Sequence, residues 1–330
     1  MLILAKSILG LLLGFFVSVV FGYFMIPVLR KLKCKQSISS YTAFRHAAKN
    51  GTPTIGGLIF IIPTLLVMLF LYLRNSLEIT HSLLIIIFVF ISYALLGFVD
   101  DFLKVRFKNN DGLSITQKLL VQVLIALVFF YIYMKGGGDA NVTISSLGIS
   151  IDLGWVYGLF ILFLLVGSSN AVNLTDGLDG LAGGTTLIAF LSFGIITWGT
   201  TWIEGYQEIA IFCFILVGSL LGFLMYNSHP AKVFMGDTGS LALGATLAAI
   251  AILTKHELSL AVIGGVFVVE ALSSIIQLTA IKKFKRKVFL MAPIHHHFEK
   301  LGFEETDIVK GFYLVAMILG TIAIYYGVWM

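Results

Sequence analysis

The chain has 330 residues, of which 58% are apolar and only 12% are charged, and its formal net charge is +5. Ordinary soluble domains carry about 25% charged residues, and disordered chains are far less apolar than this one. The composition therefore excludes both classes and indicates an integral membrane protein. Its apolar runs are about 20 residues long, which is typical of membrane-spanning helices rather than of barrel strands.

Ten apolar runs along the chain are candidate membrane spans. The first is too long for the core of a signal peptide and is followed by no small-residue cleavage site, so we expect it to be retained. We predict an all-α integral membrane protein of ten transmembrane helices, forming a single transmembrane domain over residues 1–330. The predicted spans are residues 2–29, 54–73, 82–99, 118–134, 153–169, 181–198, 207–226, 239–254, 259–281 and 309–329.

Positive charge is divided unequally between the two faces that these spans define. Of the 22 Lys and Arg residues, all but Lys6, Arg74, Lys135 and Lys255 fall in or beside the loops that follow odd-numbered spans. Cytoplasmic loops are enriched in Lys and Arg, so the positive-inside rule places that basic face in the cytoplasm. An even number of spans then puts both termini outside the cytoplasm.

The outer connection at residues 135–152 differs from the other outer loops. Apolar and polar side chains alternate at Val142–Ile144 and again at Ile149–Ile151. Such alternation is typical of a small β-hairpin. It carries no signal of a functional site.

The first polar motif on the cytoplasmic face is Lys49-Asn-Gly-Thr-Pro-Thr54-Ile-Gly-Gly57, which leads into the second span. Proline and clustered glycines form shaped backbone turns of the kind that approach ligands closely. An ordinary junction between a loop and a helix is an equally good interpretation.

Two adjacent carboxylates, Asp100 and Asp101, follow the third span. At the C-terminus of a helix they would repel each other and oppose the helix dipole, and a divalent cation would relieve both effects. A simple marker of the water interface is the alternative. Lys104 and Arg106 follow and are candidate counter-ions or phosphate ligands.

Four polar residues recur at three-residue spacing after the fifth span: Asn170, Asn173, Asp176 and Asp179. On a helix or a tight helical turn they would lie along one face and present two amides and two carboxylates to one ligand. This segment contains no Lys or Arg, so the carboxylates have no local partners. A helix start capped by an aspartate is the alternative interpretation.

A further loop runs from Asn227 to Ser240 and includes Phe234-Met-Gly-Asp237-Thr-Gly-Ser240. Asp237 just before an apolar run resembles a helix N-cap. Phe234 is an aromatic in a small and polar loop, where a planar base could stack on its ring, although ordinary packing explains it equally well.

The last constellation combines the basic run Lys282–Lys287 with the histidine triplet His295-His296-His297. The basic run alone is typical of an anchor at the membrane surface. Imidazoles bind zinc, bind phosphate or transfer protons, but the nearby carboxylates are hard oxygen ligands that suit Mg²⁺ better. Because every constellation lies on the same face, together they indicate metal-assisted chemistry on a phosphorylated substrate. No phosphate-binding loop of the ATPase type is present.

These motifs together resemble the phospho-N-acetylmuramoyl-pentapeptide-transferases, within the polyprenyl-phosphate N-acetylhexosamine-1-phosphate transferase family. The resemblance covers essentially the whole chain, and the form Pro293-Ile-His-His-His-Phe-Glu299 looks like the muramoyl-pentapeptide branch. It implies transfer of phospho-MurNAc-pentapeptide from UDP-MurNAc-pentapeptide to undecaprenyl phosphate, with Mg²⁺ as cofactor and lipid I and UMP as products. It also implies a multi-pass protein of the bacterial inner membrane with its active site on the cytoplasmic side. A homodimer embedded in membrane lipid is implied, and no nucleic-acid partner is expected.

The resemblance also implies roles for individual residues. The expected catalytic residues are Asp100, Asp101, Asp237, His295 and His296, and the three aspartates are also the expected metal ligands. The expected substrate-binding residues are Lys49, Thr54, Lys104, Lys118, Asn170, Asn173, Asp176, Asp179, Phe234 and His297.

Two alternatives and one mechanistic choice stay open at this point. The nearest alternative is the same chemistry with UDP-GlcNAc, and a more distant one is a lipid-linked transporter or flippase. Transporters carry ionisable groups near the membrane midplane, whereas here only Glu270 lies deep in a span. The transfer either occurs directly, with Asp100 deprotonating the lipid phosphate, or passes through an acyl-phosphate on an aspartate.

Overall fold

The computed structural model describes residues 2–32, 51–107, 112–144, 149–200 and 205–329. Within these ranges the chain forms twelve α-helices and one small antiparallel sheet. In chain order the elements are α1 (Leu2–Lys31), α2 (Leu58–Leu73), α3 (His81–Phe107), α4 (Ile115–Lys135), β1 (Asn141–Ile144), β2 (Ile149–Asp152), α5 (Val156–Thr175), α6 (Leu181–Gly199), α7 (Tyr206–Asn227), α8 (Gly236–Leu253), α9 (Glu257–Ile263), α10 (Gly265–Phe284), α11 (Ile294–Leu301) and α12 (Glu305–Trp329).

Nine of the helices in the described ranges are long and apolar enough to cross a membrane. This confirms the prediction of a helical, multi-pass membrane protein. The remaining predicted span, residues 54–73, corresponds to α2, which has 16 residues. At 1.5 Å per residue it is about 24 Å long, less than the roughly 30 Å of a hydrocarbon core. The count of ten spans and the side on which the termini lie stay predictions.

Two predicted spans differ from the observed helices, and the first difference affects the site. Helix α3 continues past Val99 to Phe107, so Asp100 and Asp101 lie inside the helix rather than at its C-terminus. The ninth predicted span, residues 259–281, is interrupted at Gly264, which ends α9 and precedes α10. Membrane helices tolerate such breaks where neighbouring helices pack around them.

The predicted hairpin in the outer connection is confirmed. Strands β1 and β2 pair antiparallel, with Val142 opposite Ile151 and Thr143 opposite Ser150. Lys255, in the turn after α8, reaches this hairpin and donates to the backbone carbonyls of Asp139 and Asn141.

Helices α7 and α8 form the centre of the bundle and are almost wholly buried, whereas α1, α4 and α12 expose most of their apolar surface. Helix α8 packs between α3 and α5, and α7 packs against α1 and α6. Small residues allow these close contacts, as is usual between membrane helices. A Cβ added at Gly218 of α7 would lie 2.0 Å from the carbonyl oxygen of Leu11 in α1.

We therefore expect Gly218→Ala to destabilise the protein by about 1–3 kcal/mol, the usual cost of an overpacked core. The obstructing atom belongs to the backbone, so no side-chain rotation relieves the clash. The thermal unfolding midpoint in detergent measures the effect. Gly311→Ala in α12 is the matched control, because a Cβ there meets nothing within 4 Å. Equal midpoints for the two variants would contradict the prediction.

Candidate active site

Three carboxylates, two buried and one half-buried, meet where α3 contacts the start of α8. One oxygen from each of Asp100, Asp101 and Asp237 lies within 4.8 Å of the others. Asp100 is fully buried and Asp101 is 3% exposed. The two helices approach this closely because Gly97 has no side chain: a Cβ there would lie 2.1 Å from the carbonyl oxygen of Asp237. We call these three residues the acidic cluster.

Asp101 caps α8 from a neighbouring helix. Its carboxylate accepts from the backbone N–H of Asp237 at 3.2 Å and of Thr238 at 2.9 Å, and from the Thr238 hydroxyl at 2.6 Å. Met235, the N-cap residue itself, makes no side-chain cap. The interpretation of Asp237 as an N-cap was therefore wrong. Since Asp101 satisfies the free N–H groups of the helix start, the side chain of Asp237 is available to the site.

Two ammonium groups bridge the acidic cluster. Lys104 Nζ lies 2.6 Å from Asp100 and 3.1 Å from Asp237, and Lys118 Nζ lies 2.9 Å and 2.6 Å from the same two carboxylates. The side chains of the two lysines are 31% and 23% exposed. Two cations against three carboxylates leave a net negative charge in a largely buried place. Such a charge favours the binding of a further cation.

Asn173 joins the acidic cluster from α5. Its side-chain amide donates to Asp237 at 2.8 Å and to the Ser240 hydroxyl at 2.8 Å. Asp237 therefore contacts α3, α4 and α5 as well as its own helix. A side chain held by this many partners is already oriented before any ligand binds.

Asp176 lies beside the acidic cluster as the C-cap residue of α5. The backbone N–H of Gly236 donates to its carboxylate. Removal from water, together with the like charges of Asp237 and Asp101, raises the pKa of Asp176 to about 7. A cation bound beside it would favour the ionised form of Asp176.

Asn170 and Asp179 turn away from the acidic cluster, so the four residues with three-residue spacing do not meet. Helix α5 ends at Thr175, and the chain reaches α6 through a turn that ends at Gly180 with φ of 82°. Helical spacing therefore relates only the two asparagines. Asn170 is exposed and donates to the carbonyl of Val166 and to Gln122 of α4.

Asp179 belongs to a second polar group. Its carboxylate accepts from the backbone N–H of Ala231 at 3.0 Å and lies 3.1 Å from His229 Nδ1. Its own N–H donates to Glu305 at 2.6 Å. Oxygen and nitrogen atoms of Asp179, His229 and Glu305 lie within 4.8 Å of one another. This group ties the turn after α5 to the start of α12.

The segment before α2 pairs with the segment before α8. The N–H of Phe234 donates to the carbonyl of Pro53 at 2.8 Å, which fixes the backbone at the half-buried Phe234. Thr54 is buried, and a Cβ added at Gly236 would lie 2.8 Å from its hydroxyl oxygen. The structure thus brings Thr54 next to the start of α8. Lys49 lies outside the described residues.

The first histidine of the triplet is buried between two elements. His295 Nδ1 lies 3.0 Å from a carboxylate oxygen of Glu270 in α10. A Cβ added at Gly177 would lie 2.2 Å from His295 Nε2, so the imidazole packs directly on the turn between Asp176 and Asp179.

The other two histidines have different partners. His296 Nδ1 lies 2.6 Å from Glu299, one turn further along α11. His297 Nδ1 accepts from the backbone N–H of Leu290 at 3.1 Å, so it holds the irregular segment between α10 and α11. The triplet therefore borders the site through His295.

The chain is similar to known proteins over nearly its whole length. A family model described as glycosyl transferase family 4 matches residues 82–255, which include all three carboxylates of the acidic cluster. The chain is 46% identical over 98% of both chains to a protein of Geobacillus sp. (strain WCH70). It is 45% identical over 97% of both chains to one of Bacillus subtilis (strain 168), and 47% identical over 98% to one of Halalkalibacterium halodurans. All three are named phospho-N-acetylmuramoyl-pentapeptide-transferase.

The chain belongs to the phospho-N-acetylmuramoyl-pentapeptide-transferase family. Its relatives are bacterial, and it is a multi-pass membrane protein.

The donor set of the acidic cluster fits a hard divalent cation. Asp100, Asp101 and Asp237 offer carboxylate oxygens, the ligands that such ions prefer, and no sulfur donor is among them. Asp101 already uses its oxygens on the start of α8. Asp237 and Asp100 are held mainly by lysine side chains, so they are the members of the acidic cluster better placed to bind a metal.

Some residues of this region were missed by sequence reasoning or left without a role. Gln277 of α10 accepts from the N–H groups of Val288 and Phe289 and thereby shapes the segment before the triplet. Glu270 and Gln277 could have been found from the sequence, because a polar side chain in an apolar span seldom lacks a role. His229 and Glu305 gave no comparable signal, because each lies in an ordinary polar stretch.

Proposed function

We propose that this chain transfers phospho-MurNAc-pentapeptide from UDP-MurNAc-pentapeptide to undecaprenyl phosphate, forming lipid I and UMP in the first membrane step of peptidoglycan synthesis. The observation that carries the proposal is the acidic cluster bridged by Lys104 and Lys118, in a chain that aligns with named transferases over nearly its whole length. Carboxylates beside lysines suit a reaction in which a phosphoryl group moves from a donor to an acceptor and negative charge develops on the leaving phosphate.

We propose Mg²⁺ as the metal, with Asp237 and Asp100 as its ligands and Asp101 as the residue that holds Asp237 in place. When bound, Mg²⁺ would neutralise charge on the diphosphate and make UMP a better leaving group. The donor chemistry of the acidic cluster supports this assignment, since carboxylate oxygens suit Mg²⁺.

The lysines of the site have a place in the same scheme. Lys104 and Lys118 bridge Asp100 and Asp237 at 2.6–3.1 Å, and both stay partly exposed. A flexible ammonium group can change its partner from a carboxylate to a nearby phosphate as negative charge develops on that phosphate. We propose that both lysines bind the phosphates of the two substrates.

The nucleotide and sugar are proposed to bind beside the turn after α5. Asp176 and Asp179 occupy the two ends of that turn, and the ring of Phe234 lies at the neighbouring loop, where a uracil could stack. Further proposed contacts follow from the resemblance: Lys49, Thr54, Asn170, Asn173, His295, His296 and His297.

For the chemical step we propose direct displacement. Asp100 accepts the last proton of the lipid phosphate, whose oxygen attacks the β-phosphorus of the nucleotide sugar. The bond from that phosphorus to the bridging oxygen breaks, and this oxygen leaves with UMP. Asp100 is oriented for the role by the N–H of Leu113, which donates to it at 2.7 Å. Trapping of a phosphorylated enzyme from UDP-MurNAc-pentapeptide without lipid acceptor would favour the acyl-phosphate route instead.

We further propose ten spans in a single transmembrane domain, with both termini outside the cytoplasm and the active site facing it. The charge asymmetry supports this orientation, and α2 with its non-helical entry at residues 51–57 supplies the tenth crossing. The homodimer is proposed from the family resemblance alone.

One assay tests the function and separates it from its alternatives. Purified protein is supplied with undecaprenyl phosphate and either UDP-MurNAc-pentapeptide or UDP-GlcNAc, and UMP release is measured with Mg²⁺ and with EDTA. We expect UMP only from the muramoyl substrate and only with Mg²⁺. UMP from UDP-GlcNAc instead would assign the chain to the GlcNAc-phosphate branch. No UMP from either substrate would contradict the transferase function and favour the transporter alternative.

A further inference from the structure

Glu270 is an ionisable side chain inside an otherwise apolar helix. It lies 14 residues before the end of α10, which is about 21 Å along the helix axis. Glu270 and His295 are both fully buried, and their closest oxygen and nitrogen atoms are 3.0 Å apart. The short helix α11 therefore places its first histidine, His295, beside the middle of α10 rather than beside its end. A charged group in such a place is expensive unless it has a partner and a purpose.

The Nδ1 atom of His295 is committed to Glu270, whereas its Nε2 atom is not used. Nε2 is buried and makes no hydrogen bond to any residue that the structure describes. It packs on Gly177, in the turn that carries Asp176 and Asp179. Buried polar atoms are almost always paired, so an unpaired nitrogen beside the substrate turn calls for an explanation.

We propose that Glu270 is a positioning residue that acts through His295. Its carboxylate accepts the Nδ1–H of the imidazole, which fixes the ring orientation and directs Nε2 at the turn between Asp176 and Asp179. The same carboxylate–histidine arrangement orients histidines in metal sites, where loss of the carboxylate costs about 10–100-fold in affinity or activity. The activity part of this inference rests on the proposed transferase function.

His295 and His297 of the triplet then have different roles. His297 accepts at Nδ1 from a backbone N–H and fixes the segment before α11, whereas His295 donates at Nδ1 and presents Nε2 to the turn. The partner of Nδ1 decides which ring nitrogen carries the proton. Glu270 would therefore determine whether Nε2 of His295 faces the turn as a proton donor or as an acceptor.

The first test is a double-mutant cycle on kcat/KM for UMP release. We expect Glu270→Gln to lower kcat/KM by about 10–100-fold in the native chain, and by less than about 3-fold in the His295→Ala background. Glu257→Gln is the matched control. Glu257 is also a buried glutamate, but its partner is Tyr157, in α5, and it has no contact with the acidic cluster or the triplet. We expect the control to keep native kcat/KM.

The second test reads the proton directly and needs no activity. With histidine labelled by ¹⁵N, the signal lost in the His295→Ala variant is assigned to His295, and its shift reports whether Nδ1 is protonated. We expect a protonated Nδ1 in the native chain and a changed shift in Glu270→Gln.

The outcomes are distinct. An unprotonated Nδ1 in the native chain would overturn the inference, as would independent effects of the two substitutions that multiply in the double variant. If the native chain releases no UMP, the proposed function fails, and the ¹⁵N measurement still decides the role of Glu270.

Discussion

Asp237→Asn is expected to lower Mg²⁺-dependent UMP release by about 10³-fold while leaving the fold intact. Loss of one group that stabilises transition-state charge costs about 10²–10³-fold, and Asp237 is also the proposed metal ligand. The carboxylate is contacted by Lys104, Lys118 and Asn173, so its charge organises the site from three sides.

The fold should survive because this side chain does not cap α8. Asp101 does that, and it bonds to the backbone N–H of Asp237, which asparagine also has. Asparagine has nearly the same shape and still accepts from Asn173. Both lysines keep Asp100 as a partner. We therefore expect a thermal midpoint close to that of the native chain.

The measurement is UMP release from UDP-MurNAc-pentapeptide over a range of Mg²⁺ concentrations. Asp307→Asn is the control, since Asp307 is 61% exposed and pairs only loosely with Lys310. The control should keep native activity. If Asp237→Asn keeps more than a tenth of native activity at any Mg²⁺ concentration, the proposed role of Asp237 as a metal ligand is wrong.

The membrane class and most polar constellations could be predicted from the sequence, because both depend on local composition. A run of apolar residues has the same meaning wherever it lies, and so does a pair of carboxylates at its edge. The hairpin before α5 was predictable for the same reason, since its two strands are close in sequence and alternate regularly.

The arrangement within the site could not be predicted, because it depends on contacts between distant segments. The cap of α8 comes from Asp101, 136 residues away from the first amide that it accepts. The three-residue spacing from Asn170 suggested one shared face, but α5 ends at Thr175. The partner of Glu270 lies on a short helix that hydropathy does not reveal. In each case packing decides what the local pattern leaves open.

Gly97 illustrates a residue whose importance only the packed structure reveals. A Cβ there would lie 2.1 Å and 2.3 Å from the carbonyl oxygen and carbon of Asp237, and 2.6 Å from the nitrogen of Thr238. All three are backbone atoms, so the start of α8 must move to make room. That movement would draw Asp237 away from Asp100 on α3.

We expect Gly97→Ala to lower kcat for UMP release by about 10²-fold, the usual cost of a misplacement of about 1 Å at a reacting centre. The substitution adds one methyl group, carries no charge and lies one turn before Asp101, so any loss reports geometry rather than chemistry. Gly167→Ala in α5 is the matched control: it also adds a methyl group to a helix near the site, but meets nothing within 4 Å. Thermal midpoints of both variants exclude global unfolding as the cause. If Gly97→Ala and Gly167→Ala release UMP equally fast, the close approach of α3 to α8 does not set the geometry of the acidic cluster.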